Sequence, residues 1–140
     1  MSIDNAILIV EDSEDDQFFL KRALSDSEIR HPLRVVMDGQ QAIDYLQGNG
    51  VYADRAEYPI PFLILLDLKL PYIMGLEVLK WMREQPQYAH TLVVVLTSST
   101  SESDRAETFR LGGNDYMVKP PTQAKLREMI KRLRDKWIEP

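Results

Sequence analysis

Phe62-Leu63-Ile64-Leu65-Leu66-Asp67 decides the fold: five apolar residues without polar alternation, closed by a carboxylate. A strand covered on both faces reads as such a continuous run, as in a parallel sheet sandwiched between helices. An acid at the end of a buried strand is costly to desolvate unless chemistry needs it there. A second run, Ala6-Ile7-Leu8-Ile9-Val10, ends in Glu11-Asp12, so two such strands side by side bring three carboxylates to one point. Unit charges ~4 Å apart at an effective dielectric near 20 repel by roughly 4 kcal/mol, so the cluster calls for a cation or partial protonation. Hard carboxylate oxygens favour Mg²⁺ or Mn²⁺, with Ca²⁺ as a substitute.

Outward from these two runs, strand candidates at 6–10, 33–37, 62–67, 92–97 and 116–118 each precede a helical pattern. This βαβ rhythm predicts an α/β fold, an open, doubly wound parallel sheet of five strands joined by right-handed helical crossovers. The last helix is the clearest, with Leu126, Met129, Ile130, Leu133 and Trp137 on one face and Lys125, Arg127, Lys131, Arg132, Arg134 and Lys136 elsewhere. Ser13 and Ser101 stand where N-caps belong, ahead of helices carrying Phe18, Leu20 and Leu24 in the first case and Asp104 in the second, and Gly112-Gly113-Asn114 reads as a helix stop. The stretch 49–61, after a second helix that ends near Gly48, is too rich in Gly and Pro to be regular and reads as an extended surface loop, either functional or a tolerated insertion.

The 140 residues fit one domain, 1–140, with no separate output domain. Twenty-two acidic against seventeen basic side chains, a formal charge of −5, argue against a general phosphate-backbone binder, so nucleic acid is not an expected partner. Without cysteine there is neither a disulfide framework nor a thiolate metal site. No apolar stretch approaches the ~20 residues of a membrane span, and no basic segment precedes the first run, so an unprocessed cytoplasmic protein is expected, with no membrane contact.

Sites in open α/β sheets lie beyond the carboxyl ends of the strands where strand order reverses, here between the first and third. Glu11, Asp12 and Asp67 converge there; the fourth strand delivers the hydroxyls of Thr97-Ser98-Ser99 and the fifth, Tyr116-Met117-Val118-Lys119-Pro120, an ammonium. Phosphoryl transfer needs this set: a carboxylate nucleophile, a metal bridging it to the phosphoryl group, and a hydroxyl and a cation for the remaining oxygens. Taken alone, Asp67 would pass for a turn residue, Thr97 for a β-branched strand residue and Tyr116 for a core aromatic. Glu14, Asp15 and Asp16 read as complements to a helix dipole and are left out of the site. His31 and His90 lack metal-ligand spacing, and Trp81 and Trp137 read as packing residues, the latter able to bury across a dimer.

In the order Glu11-Asp12, Asp67-Leu68-Lys69-Leu70-Pro71 with Gly75, Thr97, Tyr116 and Lys119-Pro120, the chain resembles the CheY-like, flavodoxin-like receiver domains of two-component response regulators. The resemblance implies strand order 2-1-3-4-5, Asp67 as phosphoacceptor, and Mg²⁺ held by Asp12, Asp67 and the Lys69 backbone carbonyl, with Glu11 on a metal-bound water. It further implies Lys119 and Thr97 on the phosphoryl oxygens, a cis Lys119-Pro120 bond, and Thr97 and Tyr116 as the switch. A histidine kinase is then the expected phosphodonor, an unidentified protein the target, and the fourth helix, fifth strand and fifth helix the output face. Acids at 102, 104 and 107 opposite the basic last helix predict a homodimer through that face. Within the family, the 49–61 loop and the Val94-Val95-Leu96-Thr97-Ser98-Ser99 run look like the regulators of bacterial and cyanobacterial phytochromes. Three departures stand out: Lys69 where that subfamily often has Asn, the apolar Tyr72-Ile73-Met74, and Pro121 in place of a common Phe. Three other classes compete. A phosphorylation-independent interaction module would lack the Asp or the Lys, an aspartyl phosphatase would carry Asp-x-Asp on the first strand, and a dinucleotide enzyme needs G-x-G-x-x-G there.

Overall fold

The computed structural model describes residues 4–26 and 31–138. Within them, strands β1 (Asp4–Val10), β2 (Leu33–Val36), β3 (Ile60–Leu66), β4 (Leu92–Thr97) and β5 (Asp115–Val118) form one sheet, all neighbours parallel, in the order β2-β1-β3-β4-β5. Helices α1 (Glu14–Asp26), α2 (Gly39–Gln47), α3 (Gly75–Glu84), α4 (Glu102–Arg110) and α5 (Gln123–Ile138) supply the crossovers. The doubly wound five-stranded sheet and its 2-1-3-4-5 order are as the sequence predicts.

Residues of the central strands alternate between two cores, as a pleated strand requires. Leu8, Val10, Ile64 and Leu66 face α2 and α3, packing with Tyr45, Val78, Leu79 and Met82. Ile7, Ile9, Leu63 and Leu65 face α1 and α5, packing with Leu20, Leu24, Leu126, Met129, Ile130 and Leu133. All seven residues of β3 are buried, so continuous hydrophobicity there reflects cover on both faces. On α1 the buried stripe is Leu20, Ala23 and Leu24, whereas Phe18 points to solvent at 66% exposure. Trp81 packs against the first core, as read, while the side chain of Trp137, like those of Arg134 and Lys136, lies outside the described residues.

The loop differs from its expectation in two ways. Ile60 and Pro61 already belong to β3, where the register against β1 shifts around Ala6 and so accommodates a residue without an N–H. The remainder is anchored: it opens with a 3₁₀ turn at Gly50–Ala53, and Tyr52 and Tyr58 stack on Tyr45 with ring centroids 5.1 and 5.9 Å away. The Arg55 guanidinium donates to the carbonyls of Tyr45 (2.8 Å) and Leu46 (3.0 Å) in the last turn of α2 and of Tyr58 (3.3 Å), tying the loop to the end of that helix. α4 is the weakest-anchored helix in composition, with Thr108 its buried residue and Phe109 exposed. Among the described residues no helix is long and apolar enough to cross a membrane.

Candidate functional site

The parallel register places the ends of β1 and β3 together, Val10 opposite Leu66, so Glu11, Asp12 and Asp67 emerge at the same level. One oxygen from each lies within 4.8 Å of the others, with Glu11 and Asp67 buried and Asp12 exposed. The Glu11 backbone N–H donates to the Val36 carbonyl and that of Asp67 to the Val10 carbonyl, so β-type backbone bonding extends past the strand ends and fixes both acids. Such a set of hard oxygens suits a divalent cation.

Lys119 arrives from the end of β5, ahead of a cis peptide bond to Pro120. Its Nζ donates to Asp67 Oδ2 at 3.0 Å, to Asp16 Oδ2 at 2.9 Å and to Glu11 Oε1. Asp16 is the correction to the sequence reading, which left it out. It sits in the first turn of α1, and because helical side chains lean toward the helix N-terminus, a carboxylate there reaches back to the strand ends. That geometric rule is the signal that could have found it. The neighbouring caps are as expected: Ser13 Oγ accepts from the Asp16 N–H, and Ser101 Oγ from the Asp104 N–H.

Four carboxylates around one ammonium make the pocket negative, and its ionisable groups respond accordingly. Burial pushes the Glu11 carboxyl above its ordinary range and the Asp67 charge adds to this, although hydrogen bonds from Lys119 and the Ser13 N–H oppose it. For Lys119, burial alone acts downward, but hydrogen bonds to Glu11, Asp16 and Asp67 outweigh it and hold the ammonium above the ordinary lysine range. The pocket therefore favours positive charge, and Glu11 is the acid whose ionised form its burial opposes.

Thr97 is fully buried at the end of β4, and its Oγ1 accepts from the Ser99 N–H at 3.3 Å. Tyr116 is buried too: its hydroxyl donates to the Ser99 carbonyl at 2.9 Å, and the Arg105 guanidinium of α4 lies 5.6 Å from its ring centroid. Ser99 was missed as a linking residue; its Oγ also donates to Asp104 Oδ2 at 2.6 Å. Lys69 is exposed between buried Leu68 and Leu70 in the turn after β3, its N–H on Asp67 Oδ1 at 3.2 Å. Ile73 packs on the core while Tyr72, at φ 67°, is 87% exposed, so the apolar Tyr72-Ile73-Met74 is only partly a packing feature. Pro121 is buried.

Two of the three acids of α4 have partners inside the chain, Glu107 with Arg110 and Asp104 with Ser99, and Arg132 of α5 donates to Asp115 at 2.6 Å. The acid-to-base pairing expected between copies thus competes with pairs already made.

A parallel five-stranded sheet with three acids and a lysine at its carboxyl edge defines the class, and the match to the family model for the response regulator receiver domain over residues 7–131 is its counterpart in sequence: the chain belongs to that family. Response regulator Rcp1 of Synechocystis sp. (strain PCC 6803) is 38% identical over 133 residues, 95% of this chain and 88% of that one. Two solved structures are similar over most of their length. The phosphorylated cyanobacterial phytochrome response regulator RcpA has TM-score 0.81 and 34% identity, covering 96% of this chain and 94% of that one. The Mn²⁺-bound form of Rcp1 has TM-score 0.80 and 37% identity, covering 96% and 95%.

Proposed function

We propose that this chain is a single-domain response regulator that accepts a phosphoryl group on Asp67 from the phosphohistidine of a histidine kinase, of the phytochrome type, in the cytoplasm. The observation that carries the reading is the buried Asp67 carboxylate held within 3.0 Å of Lys119 and beside Glu11 and Asp12. An Asp67 oxygen attacks phosphorus, the P–N bond to the imidazole breaks as the P–O bond forms, and the imidazole leaves with a proton. Asp12, Asp67 and the Lys69 carbonyl would hold Mg²⁺, with Glu11 beside them as an outer partner, and the ion would supply positive charge against the phosphoryl oxygens. The donor set and the Mn²⁺-bound Rcp1 relative support a divalent ion at this place. Lys119 and Thr97 bind the other phosphoryl oxygens, and the similarity to the phytochrome response regulator RcpA supports a donor of the phytochrome type.

Phosphorylation is read at α4, β5 and α5 through Thr97 and Tyr116, and that face pairs two copies or receives a target protein. The supporting feature is the bonding of both side chains to the single residue Ser99. Sedimentation of the phosphorylated protein with Arg127→Glu and Lys131→Glu tests pairing, which predicts a shift to monomer.

Intact-protein mass after incubation with acetyl phosphate tests the central claim. One adduct is expected that requires Mg²⁺, disappears with chelator and is absent in Asp67→Asn. An adduct that survives in Asp67→Asn refutes the acceptor, and no adduct despite Mg²⁺ binding makes the protein a phosphorylation-independent interaction module.

A further inference from the structure

An ammonium has three protons to donate and no capacity to accept. The Lys119 Nζ contacts three carboxylates: Glu11, Asp67 and, from α1, Asp16 at 2.9 Å. Glu11 and Asp67 are buried members of the acid cluster, whereas Asp16 stands at its margin, half-exposed. The lysine and a divalent cation therefore draw on the same two buried carboxylates, and Asp16 offers the lysine a partner outside the cluster.

We propose that Asp16 is a positioning residue that draws the Lys119 ammonium toward α1 and leaves the cluster of Glu11, Asp12 and Asp67 able to take a divalent cation. This rests on the reading of the acid cluster as a cation site. Without the Asp16 carboxylate, the ammonium settles between Glu11 and Asp67, where its charge opposes that of an incoming ion. Asp15, exposed on the same turn, carries the same charge but is not among the carboxylates that Lys119 contacts in the described residues, so it separates this effect from a change in net charge.

The test is calorimetric titration of the chelator-treated protein with Mn²⁺ for wild type, Asp16→Asn, Asp16→Glu and Asp15→Asn, each checked for an unchanged unfolding midpoint without metal. Asp16→Asn should weaken Mn²⁺ binding by about three- to tenfold, Asp15→Asn by less than about twofold, and Asp16→Glu should recover most of the affinity. Equal losses in Asp15→Asn and Asp16→Asn, or unchanged or tighter binding in Asp16→Asn, overturn the proposal. Wild type that fails to bind Mn²⁺ overturns it together with the cation site, and wild-type binding without any acetyl phosphate adduct removes only the phosphoacceptor reading.

Discussion

Gly75→Ala couples the fold to the site and has a magnitude that follows from geometry. Gly75 opens α3 where the helix abuts the turn after β3, its N–H donating to the Leu68 carbonyl at 2.9 Å. A Cβ there would lie 2.2 Å from the Asp67 carbonyl oxygen and 2.7 Å from Leu68 Cα. Both obstacles are backbone, so no rotamer change relieves the clash, and α3 and the turn must separate by about 1 Å. Overpacking of this kind costs about 3 kcal/mol, offset by less than about 1 kcal/mol of helix propensity. The net loss of about 2 kcal/mol lowers the unfolding midpoint by roughly 8 °C in a domain of this size. Gly50→Ala is the comparison, because Gly50 has φ 58° but open space around its missing Cβ, so only backbone strain of about 1 kcal/mol applies. Urea unfolding of both variants, with Mn²⁺ titration of the folded proteins, reads the effect. Gly75→Ala should lose more stability than Gly50→Ala and should alone weaken cation binding, since the displaced backbone carries Asp67. A loss for Gly75→Ala no larger than that for Gly50→Ala would show that the turn yields freely and that the reasoning is wrong.

Burial pushes the Tyr45 phenol up to about 12, against opposing Arg34 and Arg55 charges, and its hydroxyl donates to the Pro59 carbonyl at 2.7 Å. A value raised in the folded state means a contribution fully present below the unfolded value of 10.0 and lost as pH rises through about 12. Tyr45→Phe should cost about 1 kcal/mol at pH 7 and flatten the fall in stability across that alkaline window; a parallel fall in both proteins counts against it. Lys69→Asn replaces an exposed cation two residues from Asp67 and should shorten the life of an acyl phosphate formed at Asp67, because it removes a positive charge near the phosphoryl group; decay of the mass adduct at the wild-type rate discards this role. Ser99→Ala removes the hydroxyl bonded to Asp104 and should raise amide exchange over 101–108 without preventing phosphorylation; unchanged exchange would show that α4 is held by other means.

The sheet was legible because its strands are covered on both faces: runs such as 62–66 and 92–96 have no polar positions to mislead. Glu11, Asp12 and Asp67 were legible for a related reason, since charged residues that close a buried strand have one place to go, the carboxyl edge of the sheet, and Lys119, after the half-exposed β5, joins them there. Asp16 was not, because an acid in a first helical turn usually serves the helix dipole, and which acid also reaches the site depends on how α1 is tilted against the sheet. Which of Phe18 and Phe19 turns inward was not legible either, because sequence spacing does not decide between adjacent rings: Phe18 is exposed and Phe19 packs on the second core. The order inside 49–61 was hidden because it comes from Arg55 meeting carbonyls of α2, a tertiary match with no periodic signature.

The two flanks of the acid pocket are built differently, and this constrains where a change at Asp67 is expressed. On one flank the turn after β3 is wedged between glycines: the missing Cβ of Gly75 leaves room for the Asp67 carbonyl, and that of Gly39 for the Ile73 carbonyl, 2.0 Å from where a Cβ would stand. Backbone in contact with backbone has no alternative packing, so this flank transmits nothing by rearranging. On the other flank, Thr97, Tyr116 and the first turn of α4 are joined through three bonds of Ser99, each to a group that can rotate or be replaced by another acceptor. α4 itself has Thr108 as its buried anchor and little apolar surface to hold it in place. A phosphoryl oxygen that captured the Thr97 hydroxyl would take the acceptor from the Ser99 N–H, and the cheapest response is movement of the loop after β4 together with Tyr116 and α4. The geometry thus gives rigidity to the side that holds Asp67 and freedom to the side of Thr97, Tyr116 and α4.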